Sequence, residues 1–388
     1  MTSVSSINPG GSYNIIQTVF KLSMMSNLAN GIKNRSADFI RDELALDIDK
    51  GLKSAAAEIG PWTRVWGPAV FQYPNSGVSD DAMYAAYNSV ANCYVVAVAA
   101  TNMHSKYDIN ELDLNVGSMT LFPLGITPQY STQPASKNVG KVSAGAALGV
   151  TNLLNMQDHE TSQSLQTFLN TQTHAAATVI FTGHSLGGSL SPTLAAWLYP
   201  SVPNDWDIYV VPTAGPSTGD QGFCDNFASV FPPCTIATLT APYGVLNQII
   251  WNAYDCVPHA WTNIMNAQPY SPPNDIVWDP TTKDGAVVSC QSVYGELTNT
   301  LLHKTAENVY GEVSKIYGLA KGQEYIKSNN FMFTPSSQPS GITSFQDFFK
   351  TVGQQHVPAY ATYFGVSLSS DEVQIGPSMF AGLSDQED

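Results

Sequence analysis

The feature that most constrains the fold is a short strand that runs directly into a glycine-rich turn and then into a helix. Residues 178–182 are β-branched or aromatic, residues 186–197 suit a helix, and Gly183-His184-Ser185-Leu186-Gly187-Gly188 joins them. Glycines let the strand and the helix approach closely, and the serine then projects at the carboxyl edge of a sheet. The pattern therefore predicts a nucleophile elbow with Ser185 at its tip.

The motif is informative because a strand precedes it and a helix follows it. Composition alone gives a Gly-x-Ser-x-Gly pattern in such a chain with an expectation of about 0.2. Nucleotide-binding folds also use glycine-rich turns between strand and helix, but neither Gly-x-Gly-x-x-Gly nor Gly-x-x-x-x-Gly-Lys-Ser/Thr occurs here. A serine hydroxyl needs a histidine base, and the histidine needs an acid to orient it. In α/β-hydrolases both follow the serine along the chain.

The chain alternates short apolar runs with longer helical stretches after Gly60-Pro61. Strands separated by helices need crossover connections, which produce a largely parallel sheet. We therefore expect an α/β fold of the α/β-hydrolase kind, with helices flanking a mostly parallel central sheet. The expected strands are residues 94–100, 178–182, 208–212 and 248–251, and the expected helices are residues 80–90, 144–170, 186–197 and 297–320.

We expect one catalytic domain over residues 1–388, because a single α/β domain of this length is common. Residues 1–60 form an N-terminal helical extension in this interpretation, residues 61–366 the catalytic core, and residues 367–388 an acidic tail. The extension carries an apolar stripe at helical spacing, for example Leu44, Ile48 and Leu52. Such a stripe can touch lipid, but packing against the core of the enzyme is the favoured explanation.

The net charge and the apolar runs of the chain limit the partners and the membrane association that we expect. The formal net charge is −15, so a nucleic acid or an anionic membrane surface would repel the chain on average. No apolar run approaches the roughly 18 residues of a membrane span. No signal peptide is evident near the N-terminus. We expect a soluble protein without a transmembrane segment; its localisation is open, and secretion is one alternative.

The five cysteines do not form a metal-binding pattern, because no Cys-x-x-Cys pair or cysteine–histidine cluster is present. We expect no metal and no organic cofactor. Cys224 and Cys234 could close a small disulfide loop in an exported protein, although buried reduced thiols are the plainer interpretation.

The candidate acid is Asp255, which directly follows the apolar stretch 248–252. An acid at the carboxyl end of a strand downstream of the elbow suits the third member of a triad. The alternative role for Asp255 is a turn residue before Val257-Pro258. The rival acids all lie in polar loops rich in glycine or proline: Asp220, Asp225, Asp275 and Asp279.

The candidate base is His356, one of three histidines that follow Asp255. His259 is too near Asp255 to come from a separate loop, and His303 lies inside the expected helix 297–320. His356 follows an aromatic pair in a segment that we expect to be a loop. The sequence thus predicts a Ser185–His356–Asp255 triad.

These residues resemble the class 3, or fungal-type, lipase family of α/β-hydrolases. Residues 182–188 are similar to its nucleophile elbow, residues 255–258 to its acid loop, and His356 fits its late histidine loop. The similarity extends from about Trp66 to Gly365, which is most of the chain.

The resemblance also implies the oxyanion-hole donors. They would be the backbone N–H of Thr101, with its hydroxyl as a further donor, and the backbone N–H of Leu186. The family commonly has Arg-Gly before the first donor and His-x-Gly after the lid region. This chain instead has Ala99-Ala100 and Ser143-Ala144-Gly145.

The implied activity is hydrolysis of carboxylic esters through an acyl-enzyme, as in a triacylglycerol lipase or a lipase-like esterase. The partners would be a lipid or other ester substrate and a transient lipid interface. A carboxylesterase or feruloyl-type esterase acting on soluble esters is the alternative within enzymes. A catalytically silent lipid-binding relative is the alternative from another class, and the presence of all three triad residues argues against it.

Two segments are candidates for the substrate pocket. Residues 119–128 are apolar and interrupted by proline and glycine, which suits either a mobile lid or a buried strand and turn. Residues 261–288 are rich in proline, asparagine and aromatic side chains and could form the rim of the pocket.

Overall fold

The structure of the protein is a computed structural model. It describes residues 2–4, 7–132, 137–172, 176–202, 206–261, 318–320, 322–336, 339 and 345–373. The expected pocket rim at 261–288 and the expected helix at 297–320 lie almost wholly outside these ranges.

A seven-stranded sheet forms the centre of the molecule, in the order β12-β11-β8-β7-β4-β3-β2. The four pairings from β4 to β12 are parallel, whereas β2·β3 and β3·β4 are antiparallel. The largely parallel sheet of an α/β fold is thus confirmed. Its strands are β2 (Trp62–Phe71), β3 (Asp81–Asn88), β4 (Cys93–Val98), β7 (Thr178–His184), β8 (Asp207–Thr213), β11 (Ile249–Asn252) and β12 (Asn330–Phe333).

Strand β3 corrects the helix that we expected at residues 80–90. Its side chains are buried on both faces of the sheet, so the apolar pattern does not alternate as it would in a half-exposed strand. Tyr84 and Ala86 belong to the core on one face, and Met83 and Ala85 to the core on the other. A short, continuously apolar run cannot be assigned to helix or strand by periodicity alone.

Helices cover both faces of the sheet. Helices α1, α2, α3 and α9 pack on one face of the sheet, and α4, α5, α6 and α7 pack on the other. Their bounds are α1 (Ile15–Met25), α2 (Ala37–Ser54), α3 (Ala56–Ile59), α4 (Ala144–Asn155), α5 (Leu165–Thr171), α6 (Leu186–Leu198), α7 (Gln221–Val230), α8 (Phe345–His356) and α9 (Pro358–Phe364).

The expected helix at 144–170 is wrong as one element, since α4 and α5 are separate. The polar segment between them is held by tertiary contacts. Asp158 accepts hydrogen bonds from the N–H groups of Gly67 at 3.0 Å and Thr161 at 2.8 Å. Ser162 takes a positive φ of 55° there, which no continuous right-handed helix contains.

Helix α1 is part of the core and not an appendage on the surface. Asn14 and Gln17 form a capping box at its N-terminus, which satisfies amide groups that the helix itself leaves unpaired. Every residue of α1 except Gln17 is buried. The helix contacts β4, β7 and β8 directly, and it therefore reaches the strands that carry the elbow.

Smaller elements complete the described structure. Three short strands form a separate sheet in the order β1-β9-β10, and β5 pairs with β6 in an antiparallel hairpin. No helix among the described residues has the length and apolar character needed to cross a membrane. Cys93, Cys224 and Cys234 are buried free thiols. The bounds of these strands are β1 (Thr2–Val4), β5 (Met119–Phe122), β6 (Gly140–Ser143), β9 (Cys234–Ile236) and β10 (Val245–Leu246).

Candidate active site

Ser185 stands on a strained turn between β7 and α6. Its φ is 56° and its ψ is −122°, a conformation that an L-residue adopts only when its surroundings enforce it. A Cβ atom at Gly183 would lie 2.3 Å from the Gly187 carbonyl oxygen, and one at Gly187 would lie 2.4 Å from the Val98 carbonyl oxygen. Both positions must be glycine for the helix to approach the strands. The local strand–turn–helix structure is the one expected from the motif.

The structure brings the three predicted triad residues into one hydrogen-bonded chain. His356 Nε2 lies 2.8 Å from Ser185 Oγ, and His356 Nδ1 lies 2.9 Å from Asp255 Oδ2 and 3.0 Å from Oδ1. All three side chains are buried. This geometry lets the imidazole accept a proton from the serine while the carboxylate fixes its tautomer.

Asp255 directly follows β11 and is held by more than the histidine. Its Oδ1 accepts the Val257 N–H at 3.1 Å, and its Oδ2 accepts the Tyr360 hydroxyl at 2.8 Å. The Tyr360 oxygen in turn accepts the Asn252 N–H at 3.0 Å. A carboxylate with several donors is stabilised in its ionised form even when it is buried.

His356 is the last residue of α8, which corrects the loop expected at this position. Gly353 lies inside this helix, where a glycine costs only about 1 kcal/mol. The buried Val352 and the buried Val357 on either side provide packing that offsets such a cost. The candidate base is therefore presented from a helix end, directly before α9.

The rival residues that the structure describes have other roles. Asp220 caps α7 by accepting the Phe223 N–H at 3.0 Å, and Asp225 accepts a hydrogen bond from Gln221. His259 packs edge-on against Trp251, with ring centroids 4.8 Å apart. The remaining rivals lie outside the described residues: Asp275, Asp279 and His303.

His184, inside the elbow motif, is a site residue that the sequence analysis did not assign. Its Nε2 lies 2.8 Å from the His356 carbonyl oxygen, so Nε2 must carry a proton, and its Nδ1 accepts the Thr213 hydroxyl at 2.8 Å. Burial, with a smaller effect of nearby His356, holds the pKa of His184 well below its usual value. The imidazole is therefore neutral and structural.

The two expected oxyanion donors are buried at the junction of β4 and α6. Within the part of the chain that the structure describes, neither the Thr101 N–H nor the Leu186 N–H has a hydrogen-bond partner. The Thr101 hydroxyl, in contrast, donates to Asp113 Oδ2 at 2.8 Å. A buried amide without a partner costs free energy, and such groups are concentrated where a ligand completes them.

A lysine also lies close to the candidate acid, Asp255. The ammonium group of Lys327 stands 3.8 Å from the centre of the Trp251 ring and donates to the Pro258 carbonyl oxygen. Burial lowers the pKa of Lys327 to about 7, and the Asp255 carboxylate opposes this shift. No sequence pattern points to this residue, because Lys327 is far from Asp255 along the chain.

The segment for which a lid or a buried strand and turn was expected forms β5 and its following turn. Phe122 is buried and contacts Phe223, with ring centroids 5.1 Å apart. Leu121 and Leu124 are 49% and 47% exposed. In the residues that are described, no cluster of side chains has the composition of a metal site.

The comparisons with known proteins agree with this architecture. The family model for class 3 lipases matches residues 116–263, a range that includes the elbow and Asp255. The crystal structure of M37 lipase superposes with a TM-score of 0.63 at 22% identity, covering 95% of this chain and 98% of that one. No curated protein sequence matches the chain.

More distant solved structures are also lipases by their names. Lip2 lipase from Yarrowia lipolytica has a TM-score of 0.40 at 17% identity, covering 67% of this chain and 78% of that one. Lipase II from Rhizopus niveus has a TM-score of 0.39 at 16% identity, covering 63% and 74%. The central part of the chain thus matches the class 3 lipase family model over residues 116–263, and the fold around it is the α/β-hydrolase fold of M37 lipase.

Proposed function

We propose that the protein is a triacylglycerol lipase or lipase-like esterase that works through a Ser185–His356–Asp255 triad. The observation that carries the proposal is the buried chain of hydrogen bonds from Ser185 Oγ through the His356 ring to Asp255. It stands on a strained elbow in a fold shared with M37 lipase. The class 3 lipase match includes two of the three residues.

The arrangement supports acyl transfer in two halves. Ser185 Oγ attacks the ester carbonyl while His356 Nε2 takes its proton, and the same proton then passes to the leaving alcohol. Asp255 stabilises the imidazolium ion that forms in between. Water, activated by His356 in the same way, attacks the acyl-enzyme and releases the carboxylic acid together with the free serine.

The buried amides of Thr101 and Leu186 suit the oxyanion of the tetrahedral intermediates. Each has no partner among the described residues, so each can donate without first breaking another bond. Pre-oriented donors of this kind stabilise charge that develops only in the transition state; losing one typically costs about 2.7 to 4 kcal/mol. The Thr101 hydroxyl donates to Asp113 instead, so we assign the oxyanion to the backbone amide.

An observation independent of the triad supports a lipid as the substrate. Leu121 and Leu124 lie about half exposed on the β5 hairpin, where they can contact an ester-bearing lipid surface transiently. Both the family model and M37 lipase carry the word lipase in their names. Water-insoluble acyl chains are therefore the first substrates to test.

The test is hydrolysis of p-nitrophenyl esters of increasing acyl length by three proteins. Wild type is compared with Ser185→Ala and with Ser189→Ala, whose hydroxyl lies on the same helix and donates to the Leu186 carbonyl oxygen. We expect Ser185→Ala to lose several orders of magnitude, roughly 10³-fold or more. Ser189→Ala should stay close to wild type.

The outcomes separate the candidate functions. A maximum at long acyl chains supports a lipase, and a maximum at short chains supports an esterase for soluble substrates. If neither wild type nor the variants cleave any ester, and a fluorophosphonate probe does not label Ser185, the proposal is wrong and a binding function must be examined.

A further inference from the structure

We propose that Asn27, in the turn directly after α1, is a positioning residue that sets the geometry of the oxyanion loop. We use this name for residues 99–102, the segment after β4 that contains Thr101. The inference rests on the proposed function, since it concerns the donor that we assign to Thr101.

The contact that carries the inference is a buried hydrogen bond. The Ala100 N–H donates to Asn27 Oδ1 at 2.7 Å, and the Asn27 side chain is fully buried. Asn27 Nδ2 donates in the opposite direction, to the Met24 carbonyl oxygen at 3.2 Å. Only this orientation of the amide satisfies both neighbours, because a flipped amide would place a donor against the Ala100 N–H.

This bond lies one peptide away from the proposed oxyanion donor. The direction of the Thr101 N–H depends on the torsion angles between the Ala100 and Thr101 backbone nitrogens. On the C-terminal side of Thr101, the Asn102 N–H donates to Asp108 at 2.9 Å, and the Thr101 carbonyl oxygen accepts from Asn30 at 3.5 Å. Asn27 holds the N-terminal side through Ala100, so the Ala100–Thr101 peptide is fixed at both ends while its N–H stays unpaired.

Water cannot easily replace the asparagine. Ala100 and Thr101 are both buried, so without Asn27 Oδ1 the Ala100 N–H would be left unsatisfied or the loop would move to find another acceptor. A buried, unsatisfied amide costs about 1 to 3 kcal/mol. Rotation of the peptide relieves this cost, and the same rotation turns the Thr101 N–H away from the substrate.

Tertiary hydrogen bonds and an ion pair hold helix α1 in place, so Asn27, in the turn directly after it, has a fixed position. Tyr84 of β3 donates to the Leu22 carbonyl oxygen at 2.7 Å. Lys21 forms a buried ion pair with Glu372 at 2.7 Å and donates to the Ser367 carbonyl oxygen. The N-terminal helix thus acts as part of the active site, through a contact that it makes with the loop and not with the substrate.

The experiment compares Asn27→Leu and Asn27→Ser with a control, Ser26→Ala. Leucine has the branched shape of asparagine with a larger volume and no acceptor, and serine is smaller and polar but too short to reach the Ala100 N–H. Ser26 is the buried neighbour whose hydroxyl donates within its own segment, to the Ser23 carbonyl oxygen. The readouts are kcat and KM per active site titrated with a fluorophosphonate, the inhibition constant of an arylboronic acid, and the thermal midpoint.

We expect both Asn27 variants to lose about 10- to 100-fold in kcat with KM nearly unchanged, because a misplaced donor affects the transition state more than the bound ester. The boronic acid, which forms a tetrahedral adduct on the serine, should bind more weakly by a similar factor. Ser26→Ala should keep wild-type kcat even if it lowers the thermal midpoint.

The inference is overturned if kcat and boronic acid affinity per titrated site match those of Ser26→Ala, or if the losses follow the thermal midpoint across all variants. That result would leave the proposed function intact, since wild type would still cleave esters. Failure of the proposed function would show differently, as an inactive wild type with an unlabelled Ser185.

Discussion

The His184 ring donates its Nε2 hydrogen to the His356 carbonyl oxygen across 2.8 Å, which joins the nucleophile elbow to the residue that we propose as the base. The other ring nitrogen accepts the Thr213 hydroxyl, and the pKa of His184 is held well below its usual value by burial. The neutral ring can therefore serve as a donor and an acceptor at the same time. The residue between glycine and serine in this motif thus aligns two elements of the site.

We predict that His184→Leu lowers kcat about tenfold and lowers the thermal midpoint by several degrees, since a buried carbonyl and a buried hydroxyl both lose partners. Steady-state kinetics and thermal unfolding measure the two effects. The control is His159→Ala at an exposed turn, which should change neither. Wild-type kcat in His184→Leu would show that the contact is not needed to position His356.

We predict that Tyr360→Phe lowers kcat/KM about tenfold and moves the acidic limb of the pH profile to higher pH. The Tyr360 hydroxyl donates to Asp255, and burial with the nearby carboxylate raises its pKa, so it stays a donor. With one donor fewer, the carboxylate stabilises the protonated imidazole more strongly, and a larger share of the base is protonated at a given pH.

The pH dependence of kcat/KM tests this sign directly. Tyr363→Phe is a matched control on the same helix, because Tyr363 stacks on Phe333 with ring centroids 3.8 Å apart and does not contact the triad acid. An unchanged acidic limb in Tyr360→Phe, or the same displacement in both variants, would contradict the assigned role.

We predict that Thr101→Val lowers kcat about tenfold, whereas Thr101→Ser stays near wild type. Both variants keep the backbone N–H, but only serine keeps the hydroxyl that donates to Asp113. Loss of that anchor leaves a half-buried carboxylate one donor short and loosens the oxyanion loop. The measurement is kcat for a single p-nitrophenyl ester, and equal values for the two variants would exclude a role for the hydroxyl.

The elbow could be predicted from sequence because its determinants are local. Glycines at positions where a Cβ would meet a backbone atom, a β-branched strand and a helical stretch all lie within a short window. The parallel order around it followed from the alternation of strands and helices. Asp255 was found because it directly follows a strand, and His356 because few histidines come after it.

The features that could not be predicted from the sequence depend on contacts between residues far apart along the chain. Strand β3 looked helical because a strand buried on both faces shows no alternation. Asn27 approaches Ala100 only after α1 has packed on the sheet, and Lys327 reaches Trp251 only through the pairing of β11 with β12. No spacing rule connects such residues, so the contacts that support the site could not be predicted from the sequence.

The last prediction concerns Lys327, whose pKa is lowered by burial to about 7. An unfolded chain would hold this proton up to an ordinary lysine pKa of about 10.4, so between these values the unfolded state binds more protons and stability rises with pH. We predict that the free energy of unfolding of wild type, relative to Lys327→Met, increases between about pH 7 and pH 10 and is flat below that window. Denaturant titrations across this range measure the difference, with the exposed Lys106→Met as control. A difference that stays constant over the whole range would mean that the Lys327 ammonium group keeps its ordinary affinity for the proton in the folded protein.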